Sequence, residues 1–260
     1  MNLDYWIKAE APIDKNIFWN VPEQKTGSLQ IIGGNSNNFS TEIRQAEFLN
    51  TLPIRDVRLL LPDVLRTKIP PIPGINFAPS TESGSFDKSE ELNAAASSAD
   101  VILFSGDFSK NSKTSVALTS AIKKSLKPII LVRDTVDAVS ESADEFIEKN
   151  NLTIIATMNQ LQKLFRNLMY PKMILLSSPL MQIVETIHKF TLSYPAVIVT
   201  FHDGKIIVAK DGKVITTPIE STKHTPIELF IGSFASSVAT LQLFVPKSPL
   251  LVSHSAIFWK

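Results

Sequence analysis

Cysteine is missing from this chain of 260 residues. That excludes disulfides, thiolate metal sites and a cysteine nucleophile, and it fits a reducing interior. An excess of one charge sign is missing as well. Lys and Arg number 26 against 25 Asp and Glu, a formal charge of +1, so no whole-chain basic footprint for nucleic acid exists. No run comes near the roughly 18–20 uncharged apolar residues of a membrane span. Residues 1–15 mix charge with aromatics and lack the apolar centre of a secretion signal. A cytoplasmic protein is expected, with no nucleic-acid and no membrane partner. The histidines at His188, His202, His224 and His254 are scattered, and no pair has zinc-site spacing, so no metal ligands are assigned. Internal repeats and low-complexity tracts are also lacking. What is present is ordinary globular composition, 44% apolar and 20% charged, enough to bury a sizeable core.

Short, continuous runs of Val, Ile and Leu occupy 29–32, 57–61, 101–104, 129–132, 153–157 and 196–201. Such runs read as strands buried on both faces, as in a parallel sheet. Helical patterns fall between them at 41–52, 89–98, 112–126, 142–150 and 179–192. The stretch 69–85, with four prolines and several serines, reads as a loop. Strand-like segments at 196–201, 205–210 and 213–217 are joined by His202-Asp203-Gly204 and Asp211-Gly212, which is tight-turn chemistry, so they form a β-meander. Residues 226–244 read as a helix that is apolar nearly all round and therefore buried. The expected architecture is a three-layer α/β/α domain with a mostly parallel central sheet and a C-terminal meander. One domain covers 1–260, with an N-terminal extension at 1–26, a core at 27–244 and a C-terminal segment at 245–260. Trp6, Phe18 and Trp19 near the start read as packing anchors or an oligomer contact, and Phe258-Trp259 as a docked end. Ligands of such sheets bind beyond the strands' carboxyl ends.

Several motifs follow one another in a telling order: GSLQIIGG at 27–34, ADVILFSGD at 99–107, KPIILVRD at 127–134, TIIATMNQLQKL at 153–164, the meander at 197–218, and TPIELFIGSFASSV at 225–238. Together they resemble the ADP/ATP-dependent NAD(P)H-hydrate dehydratases, repair lyases of the ribokinase-like superfamily, as a divergent member, over residues 27–244. The resemblance implies a ribokinase-like fold, ADP or ATP with or without Mg2+ (none tightly held), NAD(P)H hydrate as substrate, and a homo-oligomer. In that family a G-T-G-D tetrad opens the long helix. Its glycines let backbone N–H groups face a phosphate and its aspartate moves a proton.

Matched onto this chain, the tetrad is Thr225-Pro226-Ile227-Glu228. Glu228 is then the catalytic acid/base, and Ile227 stands at a nucleotide-binding position where its side chain and the missing Pro226 N–H obstruct a phosphate. The same T-P-I-E is also a capping box, with Thr225 as N-cap and Glu228 reaching back to it. Both roles stay open. The resemblance further assigns Thr41, Asp107, Asp134 and Met158 to substrate binding, and His202, Asp203 and Gly204 to the nucleotide. For each, a plain local role stands beside it: a turn acceptor for Asp107, a cap at Thr135 for Asp134, packing for Met158, a solvent-exposed hairpin tip for His202. The loop at 33–38, GGNSNN, is a further polar candidate without the spacing of a dinucleotide fingerprint. Three functions compete: a hydrate dehydratase with a degenerate site, an inactive binding or assembly subunit of the same fold, and a small-molecule kinase.

Overall fold

The continuous apolar runs become fully buried strands, and the helical patterns cover them on both sides. The computed structural model describes residues 4–259. The strands are β1 (Trp6–Lys8), β2 (Thr26–Gly33), β3 (Ile54–Pro62), β4 (Ile75–Ala78), β5 (Val101–Gly106), β6 (Ile129–Val132), β7 (Leu152–Ile155), β8 (Val197–His202), β9 (Lys205–Lys210) and β10 (Lys213–Pro218). They form one sheet in the order β1-β10-β9-β8-β7-β6-β5-β2-β3-β4. From β4 across to β8 every pairing is parallel, while β8, β9 and β10 pair antiparallel as the expected meander. β1 lies parallel to β10 at the edge, where Trp6 Nε1 donates to Thr216 Oγ1 at 2.8 Å.

The helices are α1 (Asn16–Trp19), α2 (Ser40–Asn50), α3 (Glu90–Ser98), α4 (Ser112–Lys124), α5 (Asp134–Val139), α6 (Met158–Asn167), α7 (Leu180–Ser193), α8 (Ser233–Phe244) and α9 (Pro249–Ala256). Two separate apolar clusters, one on each face of the sheet, make the three layers. Leu92, Leu118, Leu161 and Ile187 of α3, α4, α6 and α7 fill one. Leu49, Phe234, Val238 and Val252 of α2, α8 and α9 fill the other. Full burial of a side chain such as Phe234 contributes about 2 kcal/mol. At the chain's ends, Trp19 is exposed, while Phe258 packs edge-to-face on the His254 ring.

Three expectations need correction. The proline-rich stretch 69–85 holds strand β4 at the sheet edge, where prolines outside the ladder do no harm. The helix expected at 142–150 is a 3-10 segment at Ser140–Glu145, preceded by α5, which begins directly at the end of β6. The helix expected from 226 begins at Ser233. Its N-cap, Gly232, has φ +109°, a left-handed conformation that breaks the helical path from residues 226–231. A Cβ at position 232 would stand 2.7 Å from Gln45 Nε2, so the close approach of α2 also requires glycine there.

Candidate functional site

The carboxyl ends of β2, β5 and β6 meet α2 and the opening of α8, at the end of the sheet where ligands of open α/β folds bind. A cavity of about 560 Å3 opens there. Arg44, Arg133, Glu228, Ser233 and Ser236 are among the side chains lining it, along with Thr41 and Phe48. The Arg133 guanidinium is already paired with Asp107 and Glu42, so Arg44 and the first turn of α8, with its N–H groups and macrodipole, are what could meet an anion, opposed by the Glu228 carboxylate on the same lining. On the α8 side the groups that could hold a phosphate are Arg44, the Ser233 and Ser236 hydroxyls and the helix opening. Among the described residues no group of three His, Cys, Asp or Glu side chains is arranged to hold a metal ion.

At the edge of the cavity lies a partly buried polar cluster built on Arg133. Arg133 follows β6 immediately and has φ +59°. Its Nη2 donates to Asp107 Oδ1 at 2.5 Å and its Nη1 to Glu42 Oε1 at 3.2 Å. Asp134 accepts from the backbone N–H groups of Asp107 (2.6 Å) and Phe108 (2.9 Å), which ties the turn after β5 to the start of α5. Gly106, with φ +109°, is packed against Asp134 so closely that no Cβ fits. Burial raises the Asp134 carboxyl above its ordinary range. Glu42, in the first turn of α2, is completely buried, and burial together with Asp107 pushes its carboxyl up to about 8. Ser105 and Gln45 link Glu42 to the Gly232 carbonyl, which accepts from Gln45 Nε2 at 2.8 Å.

The residues expected from the sequence divide into groups. Thr41 and Glu228 line the main cavity together. Asp107 and Asp134 belong to the Arg133 cluster at its edge, and neither is a bare turn acceptor: one pairs with a cation, the other caps the turn after β5 rather than Thr135. Met158, His202 and Asp203 line a separate, smaller cavity of about 320 Å3 with Phe201 and Phe230. His202 Nε2 is 2.8 Å from the Ser178 carbonyl, and Gly204 belongs to the hairpin turn between β8 and β9. Ile227 is 67% exposed and lies outside the lining of either cavity, so it does not fill the phosphate space. Glu228 Oε2 does accept from Thr225 N (2.7 Å) and Thr225 Oγ1 (3.0 Å), but this box closes a turn and not a helix. The 33–38 loop uses its polar groups on itself: Asn35 Oδ1 accepts from Asn37 and Asn38 N–H, and Asn35 Nδ2 donates to the Asp107 carbonyl.

Sequence reasoning missed Glu42, Gln45, Arg44, Ser105 and Arg133. A signal existed for two of them, because Ser105 and Arg133 each come directly after an apolar run, 101–104 and 129–132. For Glu42 none existed, since a charged residue in a helix's first turn ordinarily faces water.

No protein-family model and no curated protein sequence matches this chain. Solved structures do. A ribokinase-like superfamily protein from Enterococcus faecalis superposes with TM-score 0.68 at 13% identity, covering 99% of this chain and 87% of that one. The ADP/ATP-dependent NAD(P)H-hydrate dehydratase from Bacillus subtilis, crystallised with ATP/Mg2+ and soaked with CoA, superposes with TM-score 0.59 at 11% identity, over 94% of this chain and 84% of that one. A Bacillus subtilis pyridoxal kinase in complex with ADP gives TM-score 0.51 at 12% identity, over 88% of each chain. The fold is thus ribokinase-like, as the order of the motifs implied. Among the described residues no helix is long and apolar enough to cross a membrane.

Proposed function

We propose that this chain is a ribokinase-like binding protein of the hydrate-dehydratase type, which takes a phosphate-bearing nucleotide or dinucleotide in the α2–α8 cavity and turns it over slowly or not at all. One observation carries the reading. The cavity is lined by Arg44, Arg133 and serine hydroxyls at the opening of α8, whereas Ser233 stands first in that helix, where an acid/base carboxylate would be needed. The family's tetrad, aligned to the helix opening, falls on Phe230-Ile231-Gly232-Ser233. That alignment keeps one glycine and loses the aspartate. Binding survives such a change better than proton transfer does.

A second reading has support of its own. Glu228 lines the cavity together with Arg133 and His224. A carboxylate there, half used by Thr225, serves a dehydratase as its acid/base group. Titration calorimetry with ATP, ADP and NADPH, followed by a hydrate-repair assay, separates the two. The binding reading expects Kd values weaker than about 10 μM, further weakened in Arg44→Ala, and no hydrate loss above background. Hydrate repair that disappears in Glu228→Gln establishes the second reading, and no binding of any of the three ligands at millimolar concentration overturns both.

A further inference from the structure

Ser105 Oγ lies 2.9 Å from Glu42 Oε1 and 2.5 Å from Gln45 Oε1. A hydroxyl has one proton to give. The Gln45 amide is oriented by its Nε2, which donates to the Gly232 carbonyl, so its oxygen faces Ser105 and accepts that proton. The remaining O···O contact, between Ser105 and Glu42, then needs a proton supplied by Glu42. A count of charges leads to the same result. Glu42, Asp107 and Asp134 gather around the one guanidinium of Arg133. Three ionised carboxyls there would leave two negative charges uncompensated in a partly buried cluster whose innermost member is Glu42. Glu42 Oε2 is buried without a hydrogen-bond partner, which is costly for a carboxylate oxygen and far less so for a neutral acid. Glu42 is faced from β5 and its turn by Ser105 and Asp107 and from the start of α5 by Arg133, with Gln45 of α2 sharing Ser105. The other charged or titratable groups lining the cavity are Arg44, His224 and Glu228.

We propose that Glu42 is a positioning residue: as a neutral acid it donates to Ser105, and through Ser105 and Gln45 it holds the Gly232 carbonyl and with it the opening turn of α8. Loss of its proton breaks this relay and loosens one wall of the cavity. Burial and Asp107 raise the carboxyl to about 8, so the release falls in mildly alkaline solution. The relay stands whatever the cavity binds.

Two measurements on the full chain test it. Infrared spectra with isotope-labelled glutamate should show a protonated carboxyl at about pH 6 that fades by about pH 9, and that is lost in Glu42→Gln. Hydrogen exchange, corrected for the intrinsic pH dependence, should show amides 234–237 losing about tenfold in protection over the same range in the parent protein. In Glu42→Gln, whose amide donates to Ser105 at every pH, that protection should stay level. A glutamate spectrum with no protonated carboxyl at about pH 6 overturns the proposal even if the variant does not fold. An equal loss of protection in Glu42→Gln removes the link from Glu42 to α8.

Discussion

Glu42 and His254 are both wholly buried on the same side of the sheet, and burial keeps both neutral near pH 7, yet they pull stability in opposite directions. Glu42 is set among charges, with Arg133 at 3.2 Å and Asp107 beyond. His254, on α9, has a neutral setting: Nε2 lies 3.1 Å from Thr217 Oγ1, Nδ1 has no hydrogen-bond partner, and the Phe258 ring stands edge-on. Burial moves the Glu42 carboxyl up to about 8 and the His254 imidazole down to about 4. The signs follow from proton linkage. The folded chain binds the Glu42 proton more tightly than the unfolded chain does. That contribution is complete below about pH 4.5 and is lost as pH rises towards about 8. The folded chain binds a proton on His254 less tightly. Its contribution is complete above about pH 6.5 and is lost as pH falls towards about 4. Each slope is about 1.4 kcal/mol per pH unit. Between about pH 4.5 and 6.5 they oppose one another, so a level stability profile there hides two steep ones.

The largest effect expected comes from removing the cation on one side of this comparison. Arg133→Met leaves Asp107, Asp134 and Glu42 facing one another with no positive charge, and should cost about 3–5 kcal/mol in urea unfolding. It should also move the alkaline loss of stability to higher pH, because Arg133 is one of the groups holding the Glu42 carboxyl down. The acid limb set by His254 should not move. A cost below about 1 kcal/mol would mean the cluster is solvated and not structural.

A smaller effect sharpens the other side. His254→Gln keeps a polar group for Thr217 but removes the titration. Relative to the parent protein, it should gain about 2–3 kcal/mol on going from about pH 6.5 to pH 4. With the His254 slope gone, the Glu42 slope should emerge, and the variant should lose stability steadily as pH rises from about 4.5. If the parent and variant profiles run parallel through this range, His254 does not titrate as a buried imidazole.

The same contrast explains what the sequence made legible. The strands were readable because β5, β6 and β7 are buried on every side, which shows as unbroken apolar runs such as 101–104. β4 and β1 were not, since an edge strand needs neither such a run nor freedom from nearby prolines. At the site, the strand-end positions Asp107 and Asp134 announced themselves through their place after apolar runs. Glu42 did not, because the groups packed on it, Ser105 and Arg133, lie 63 and 91 positions away in sequence, and nothing local records that.

The smallest predicted effect concerns two motifs with the same spacing and different outcomes. Thr157-Met-Asn-Gln160 and Thr225-Pro-Ile-Glu228 both place a threonine three residues before an amide or carboxylate acceptor. The first is a complete capping box: Thr157 Oγ1 accepts from Gln160 N–H at 3.3 Å, Gln160 Oε1 accepts from Thr157 N–H at 3.0 Å, and α6 continues for ten residues. Gln160 Nε2 also donates to the Arg133 carbonyl at 2.7 Å, which fastens α6 to the cluster at the edge of the cavity. In the second, Glu228 reaches back to Thr225, but the chain leaves the helical path before Gly232, whose carbonyl is already held by Gln45. The threonine of the first motif therefore supports a helix, and that of the second supports one turn. Thr157→Ala should cost about 1 kcal/mol, and Thr225→Ala less than about 0.5 kcal/mol, as for a substitution away from any helix cap. Equal costs in chemical unfolding would show that residues 226–231 are helical in solution. The opening of α8 would then move back to Pro226, and the wall of the cavity with it.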